Sequence, residues 1–74
     1  MNSEGKLNRQ AIAERLISLR KKKKETQEDV AKAIKVSVSA ITMYETGQRV
    51  PRDEIKVALA KHFGVSVKTI FFTQ

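Results

Sequence analysis

The stretch TQEDVAKAIKVSVSAITMYETGQRVP, from Thr26 to Pro51, contains two short helical patterns with only three or four residues between them. Thr26 is placed to begin the first helix with a capping box, because its hydroxyl can accept from the Asp29 amide while the Asp29 carboxylate reaches back. A connection this short predicts a tight turn between two packed helices. The apolar residues that share one face of the first helix are Val30, Ala31 and Ile34.

The second pattern begins at Ser37, a residue that is favoured as an N-cap, and we expect this helix to run to about Thr46. Gly47 follows at the position where a helix end favours a positive φ, so it should close the helix. Pro51, after a short loop, prepares the start of the next helix. The stretch therefore predicts two helices of about two turns each.

Helical spacing also describes the sequence on both sides of this stretch. We expect a first helix that is capped by Asn8 and ends in a run of lysines. A fourth helix should cover Arg52 to Phe63 and end at Gly64, and Ser66 should cap a short fifth helix from Val67 to Phe71. No alternating pattern is long enough to predict a strand. The expected fold is an all-α, compact five-helix bundle.

A chain of 74 residues is the length of one domain. We expect residues 1–7 to be a flexible N-terminus and residues 8–74 to form the domain. Apolar side chains at helical spacing should build its core, with the fifth helix closing it. They are Ile12, Leu16 and Leu19, then Ile55, Leu59 and Phe63, then Ile70 and Phe71.

The charge of the chain is strongly positive. Fifteen Lys and Arg residues against eight Asp and Glu give a net charge of +7. Eight of the basic residues fall in residues 1–25, centred on the run from Arg20 to Lys24. Such an excess on a small domain indicates a polyanionic partner, most often nucleic acid. The run by itself equally fits a solvated helix end, where cations complement the helix dipole.

Several classes of function are disfavoured by what the sequence lacks. Without cysteine there is no disulfide and no thiolate metal site, and the single His62, which we expect on the exposed side of the fourth helix, does not make a metal site. No Gly-rich phosphate loop or Ser-His-Asp set is present, so we expect no enzyme and no cofactor. No apolar run approaches the ~20 residues of a membrane span, and a cytoplasmic protein without membrane contact is expected.

Residues 26–51 and the later ALAKHFGVSVKTIF resemble the Cro and phage-repressor family of helix-turn-helix DNA-binding regulators, often called the Xre type. The likeness runs from about Ala11 to Phe72. It implies a lambda-repressor-like DNA-binding domain, and it depends on markers that are specific only in combination. The markers are Thr26-Gln27, Ala31, Val36-Ser37, Ile41, Tyr44-Glu45, Gly47 and Pro51.

The resemblance also implies structural roles for individual residues. Ala31 should lie where the second and third helices cross, with Val36 and Ile41 setting their angle from the core side. Arg20 should form a largely buried ion pair with Glu45 at the end of the third helix. Removing either partner of such a pair would strand a charge.

By the same resemblance, the third helix is the recognition helix that lies in the major groove of double-stranded DNA. Its small outward side chains would let it sit deep in the groove, where Ser and Thr hydroxyls can donate or accept. The residues expected to contact bases are Val38, Ser39, Thr42 and Met43. The residues expected to contact phosphates are Lys24 and Gln27 before this helix, and Thr46, Gly47, Gln48 and Arg49 after it.

Two departures from the family pattern lead to further expectations. Lys35 stands where the family often has Gly, so its turn should be strained or slightly altered. Helix three also has no Arg, Lys, Asn or Gln at its base-reading positions, so direct readout should be thin. An alternative is therefore an antirepressor that binds another regulator through Val38, Met43 and Val50. A third possibility, a nonspecific polycation that coats nucleic acid, fits the charge but not the ordered motif.

The expected regulator is a Cro-like repressor or switch protein of phage type, because no residues after 74 could form a further domain. Palindromic operators imply dimers spaced by about 34 Å. The candidates for self-contact are the start of helix four and the apolar tail, Phe71 and Phe72. Alternatively, Phe72 covers the core, and the protein is a monomer that pairs only on DNA.

Overall fold

The computed structural model describes residues 8–72, and within them five α-helices account for all of the regular secondary structure. The all-α five-helix fold is thus confirmed. Expectations for residues 1–7 and for the last two residues lie outside the described part of the chain. The helices are α1 (Arg9–Lys22), α2 (Gln27–Ile34), α3 (Val38–Glu45), α4 (Asp53–Phe63) and α5 (Val67–Phe71).

Polar side chains cap the N-termini of four helices, as the sequence predicts. In each, the cap oxygen accepts a hydrogen bond of 3.0 to 3.1 Å from the backbone N–H three residues later. At α2 the box is complete, because the Thr26 N–H also donates to Asp29 Oδ2 at 2.9 Å. Helix α4 begins one residue later than expected, with Arg52 as an N-cap that makes no side-chain bond. The four capping residues are Asn8, Thr26, Ser37 and Ser66.

The C-termini of α1 to α4 share a different device, a residue with positive φ just after the helix. The residue after it donates its N–H to the carbonyl five residues back, at 3.0 to 3.1 Å. This six-to-one bond is the signature of a Schellman motif. Two of the four residues are the predicted glycines, Gly47 and Gly64, and the other two are Lys24 and Lys35.

Lys35 adopts φ 61° and ψ 48°, which is the left-handed conformation that L side chains disfavour. The expectation of a strained turn at this residue is therefore confirmed. Lys24 adopts the same φ range, at 59°, although no sequence pattern predicted it there. Lysine is an uncommon residue for this conformation, and so neither position carries the usual glycine signal.

The core lies where α1 packs against α3 and α5, α2 against α3 and α4, and α4 against α5. Ala31 is buried in α2, which suits a helix that approaches its neighbours closely. The most deeply buried large side chains come from four of the five helices. They are Ile12, Val30, Leu59 and Ile70, together with Pro51 from the loop before α4.

Phe71 is only 2% exposed, which confirms the expectation that it closes the core with Ile70 and contradicts the expectation that it contacts a second copy, whereas Phe72 is 52% exposed. The expectation for His62 is also wrong. His62 is not on an exposed side, because α4 packs on α2 and turns the imidazole toward Glu25. The Nε2 atom of His62 lies 2.7 Å from Glu25 Oε1.

Candidate nucleic-acid interface

The outward face of α3 is built by its helical spacing. Residues 38, 39, 42 and 43 share one side of the helix, since 38 and 42, 39 and 43, and 39 and 42 are three or four positions apart and so are neighbours on a helix surface. Val38 is 40% exposed, Ser39 is exposed, and Thr42 and Met43 are half-buried. The opposite side enters the core or its edge through Ile41, Tyr44 and Glu45.

The residues expected to contact phosphates lie before α2 and after α3. Lys24 is exposed in the turn between α1 and α2, and Gln27 is the first residue of α2. Four others form the turn that follows α3. This turn rests on the start of α1, because a Cβ on Gly47 would lie 3.6 Å from Gln10 Oε1.

A buried ion pair joins α1 to the end of α3. Arg20 Nε donates to Glu45 Oε2 at 2.7 Å, and Arg20 Nη2 donates to Glu45 Oε1 at 3.0 Å. The side chains are 14% and 5% exposed, respectively. Hydrogen bonds to the Glu45 carboxylate raise the pKa of Arg20 above its ordinary value, although burial opposes the shift. The third guanidinium nitrogen, Nη1, donates to the Glu25 carbonyl at 3.0 Å and so holds the α1–α2 turn.

Gln27 is tied to the middle and to the C-terminal end of α3 instead of pointing freely into solvent. Its Nε2 donates to Glu45 Oε1 at 2.9 Å, and its Oε1 accepts from Thr42 Oγ1 at 2.9 Å. A carboxamide nitrogen has two hydrogens, so one remains for an outside acceptor. The contacts place the predicted phosphate residue Gln27 and the predicted base residue Thr42 in one hydrogen-bonded unit.

The lysine run is anchored at its far end to α4. Glu25 Oε2 lies 3.8 Å from Lys23 Nζ, and the same nitrogen lies 3.4 Å from the His62 carbonyl oxygen. Together with the bond between His62 and Glu25, these contacts join the α1–α2 turn to the last turn of α4. Lys21, Lys22 and Lys24 remain exposed.

The turn after α3 is ordered by its own side chains. Thr46 Oγ1 donates to the Thr42 carbonyl at 2.8 Å, and Gln48 Nε2 donates to Thr46 Oγ1 at 2.9 Å. Arg49 Nη1 lies 3.9 Å from Met43 Sδ, a weak contact that directs the guanidinium back along α3. Arg49 and Gln48 stay exposed at the surface.

The network that positions the interface leaves no buried side-chain nitrogen or oxygen of residues 8–72 without a partner. The family resemblance implies the pair of Arg20 and Glu45, but the sequence contains no signal for the bonds of Gln27 to Thr42 or of Glu25 to His62. These partners are 15 and 37 residues apart in the chain, and only the packing of the helices brings them into contact.

Among the described residues, no group of three or more His, Asp and Glu side chains could hold a metal ion. None of the helices in residues 8–72 is both long and apolar enough to cross a bilayer.

The chain matches known proteins by family and by fold. A family model described as helix-turn-helix (HTH_3) matches residues 16–70. The fold is similar to that of the P22 c2 repressor protein in complex with a synthetic operator, with a TM-score of 0.83 and 31% identity over 88% of this chain and 98% of that one. No curated protein gave a match.

Two crystal structures of the clp gene regulator ClgR from Corynebacterium glutamicum are also similar, each at 27% identity over 84% of this chain. Their TM-scores are 0.78 and 0.75, and the match covers 66% and 80% of the respective ClgR chains.

Proposed function

Because this chain belongs to the Xre-type helix-turn-helix family of DNA-binding transcription regulators, we propose that it is a sequence-specific, Cro-like repressor that reads double-stranded DNA with α3. The observation that carries the proposal is the outward face of α3, whose uncharged side chains are exposed or half-buried while its other side is held in the core. A helix of this shape can sit close to the floor of the major groove.

Base contacts are assigned to Val38, Ser39, Thr42 and Met43. The Val38 side chain and the Thr42 methyl suit a thymine methyl, and the two hydroxyls suit polar base edges. With no long amide or guanidinium on this face, each contact contributes little discrimination. Much of the specificity should then come from the shape of the DNA and from paired half-sites.

Phosphate contacts are assigned to Lys24, Gln27 and the turn from Thr46 to Arg49. Thr26 caps the Asp29 amide, so the amides of Gln27 and Glu28 are left at the start of α2, where a phosphate can accept from them. The acidic side chains of Glu28 and Asp29 lie in the same turn and oppose an anion. The positive charge at this site must therefore come from the neighbouring lysines.

The partners proposed are double-stranded DNA and, on palindromic operators, a second copy of the chain in a weak dimer. Phe72 and the start of α4 are the surfaces left for such a contact, since Phe71 is buried. The site of action is the cytoplasm, where the DNA is, and the role is that of a phage-type genetic switch.

A second candidate function is an antirepressor that binds another regulator through α3. The observation in its favour is the 40% exposure of Val38, the first residue of α3, on a face without charge. Apolar helix faces of this kind bind protein grooves as well as DNA. The net charge of +7 favours DNA.

Selection from a random pool of duplex DNA at about 0.15 M salt tests the proposal. The wild-type chain should enrich a short motif, and Thr42→Ala and Ser39→Ala should each broaden it at a different position. If no motif is enriched and binding is weak and salt-sensitive, the proposed sequence-specific function is wrong. That result would favour the antirepressor, which binds another protein.

The phosphate assignment is tested separately by the dependence of affinity on salt. Arg49→Ala should weaken binding to every DNA and lower the slope of log affinity against log salt by about one. Lys61→Ala is the matched control, because it removes one positive charge from an exposed position of α4. This variant should leave the slope nearly unchanged. Equal slopes for wild type and Arg49→Ala would contradict the assignment.

A further inference from the structure

The hydroxyl of Thr42 is the last group in a chain of hydrogen bonds that begins at Arg20. The buried Arg20–Glu45 pair fixes which group donates and which accepts at each step. The chain begins at Arg20, whose guanidinium has only donors. Two of its nitrogens donate to Glu45, one to each carboxylate oxygen, at 2.7 and 3.0 Å. Glu45 is buried and accepts from both of these donors, so its carboxylate acts as an acceptor at this place.

The carboxylate in turn decides how the Gln27 carboxamide is oriented. Its nitrogen, Nε2, faces Glu45 Oε1 at 2.9 Å. The flipped amide would place two acceptor oxygens against each other at that distance, which is unfavourable in a half-buried position. Gln27 Oε1 must therefore point the other way, toward Thr42.

Thr42 completes the chain as a donor. Its Oγ1 lies 2.9 Å from Gln27 Oε1, an atom that can only accept. A threonine hydroxyl has a single hydrogen, and that hydrogen is used here. What remains on Oγ1 is acceptor capacity alone.

We propose that this chain of bonds makes Thr42 an acceptor-only reader, which selects a base with an exocyclic amino group, adenine or cytosine, on the strand that it faces. The inference rests on the proposed function, since it requires α3 to lie in the major groove. Adenine presents the N6 amino group there and cytosine the N4 amino group, whereas guanine and thymine present only acceptors to a hydroxyl. An unconstrained threonine would accept from the first two bases and donate to the others equally well.

The role of Gln27 in this scheme is that of a positioning residue. It acts on the base through Thr42, in addition to any phosphate that its second Nε2 hydrogen reaches. Loss of the Gln27 carboxamide should consequently change which base is preferred, and a phosphate contact by itself would not do that.

The experiment begins with the motif selected from random duplex DNA and compares wild type with Thr42→Val. Valine keeps the shape and the methyl groups and removes only the hydroxyl, so the position whose preference is lost is the one that the hydroxyl reads. At that position, an analogue of the preferred base that lacks its amino group should weaken wild-type binding about three- to tenfold. The same analogue should not weaken binding by Thr42→Val.

Gln27→Met then tests the direction of the bond. Methionine has a similar length and cannot accept from Thr42 as the carboxamide does, so the hydroxyl hydrogen is released. At the Thr42 position the preference for an amino-bearing base should fall toward equality with guanine and thymine. Ser39→Ala is the matched control, because it changes another position of α3 and should leave this preference intact.

Three results would overturn the inference while leaving the proposed function in place. One is a Thr42-dependent preference for a guanine or thymine oxygen. The second is an unchanged motif in Thr42→Val, and the third is a uniform loss of affinity in Gln27→Met with the base preference retained. Failure of the wild-type chain to select any motif is a different outcome, which contradicts the proposed function and the inference together.

Discussion

Glu45 is the residue on which the position of α3 depends most directly. It accepts two hydrogen bonds from Arg20 and one from Gln27, and its side chain is 5% exposed. Burial makes each of these bonds costly to lose, because an unpaired buried carboxylate keeps its desolvation penalty. Glu45 thus contributes to the stability of the bundle through Arg20 and helps to position the outward face of α3 through Gln27.

Replacement of Arg20 by Met is expected to lower the free energy of unfolding by about 3–5 kcal/mol, since it removes the charge partner of Glu45 and leaves Gln27 alone to satisfy it. Urea denaturation followed by circular dichroism measures the change. The control is Arg52→Met, which breaks the 3.3 Å pair with Glu54, whose partners are 80% and 78% exposed. That variant should lose less than about 1 kcal/mol, and equal losses in the two variants would contradict the burial argument.

Lys56 is a second charged side chain, after Glu45, that is buried. The sequence pattern does not predict its burial. It is buried in α4, with its Nζ 5.2 Å from the ring centroid of Phe72 and 5.8 Å from that of Phe71. Asp53 Oδ1 lies 3.5 Å from the same nitrogen. The lysine stem therefore covers apolar surface while the ammonium group keeps polar and aromatic neighbours.

At the scale of the helix, the chain shows an asymmetry between starts and ends. Four helix starts use Ser, Thr or Asn, which are easily recognised in a sequence. The ends of α1 to α4 use a left-handed residue, and this is a lysine after α1 and α2. The left-handed Lys35 lies in the turn between α2 and α3. Substitution at this residue therefore tests how much the strained turn lowers stability.

Lys35→Gly is expected to raise the free energy of unfolding by about 0.5–1 kcal/mol. Glycine relieves the left-handed strain of about 1–2 kcal/mol. Part of this gain is lost because glycine also raises the conformational entropy of the unfolded chain. Lys32→Gly, at a helical position three residues earlier, removes the same charge and should instead lose about 0.5–1 kcal/mol. Opposite signs in thermal and urea denaturation are the expected result, and a loss of stability in both variants would be inconsistent with strain at Lys35.

The capping box at α2 predicts a dependence of stability on pH. The Thr26 N–H that donates to Asp29, with help from the Thr26 hydroxyl, lowers the pKa of Asp29 below its ordinary value of 3.8. A carboxyl group with a depressed folded pKa stabilises the protein above its unfolded pKa and loses that contribution as the pH falls through the folded value. An NMR titration should place the pKa of Asp29 below 3.8.

The variant Asp29→Asn should remove this part of the acid-dependent loss of stability, visible as a shallower decline of the unfolding free energy below about pH 4. Glu54→Gln, at an exposed site in the first turn of α4, is the matched control. If Asp29 titrates at or above its ordinary value, the capping box is not formed in solution.

At the scale of the whole molecule, α5 closes the bundle against both α1 and α4. Arg15 Nη1 donates to the Ile70 carbonyl at 2.8 Å, so the end of α5 is tied to the middle of α1. Phe71 fills the core beside Ile70, and Phe72 turns outward. Two adjacent phenylalanines thus have opposite environments.

Phe71→Ala is expected to lower the free energy of unfolding by about 3–5 kcal/mol, since a fully buried ring leaves a cavity. Phe72→Ala, the neighbouring control, should lose about 1 kcal/mol or less, because half of its ring is already in contact with water. Urea denaturation distinguishes the two. Similar losses would mean that both rings are buried, for instance against a second copy, and sedimentation at several concentrations would then detect the dimer.

The helices of this protein could be predicted from the sequence because their determinants are local. Caps, apolar spacing and glycines act within four or five residues of one another, and the start of α2 and both bounds of α3 follow from Thr26, Ser37 and Gly47. The pairing of Arg20 with Glu45 was available only through the family resemblance. The structure then supplied its geometry.

What only the tertiary structure decided are the contacts between residues that are distant in the chain. The bonds of Gln27 to Glu45 and Thr42, the contact of His62 with Glu25, and the exposure of Phe72 all depend on how the helices cross. A rotation of one residue along a helix turns a side chain by about 100°, so local preferences cannot decide which neighbour meets which partner. Packing decides it, because a buried polar atom must find a partner and a buried ring must find space.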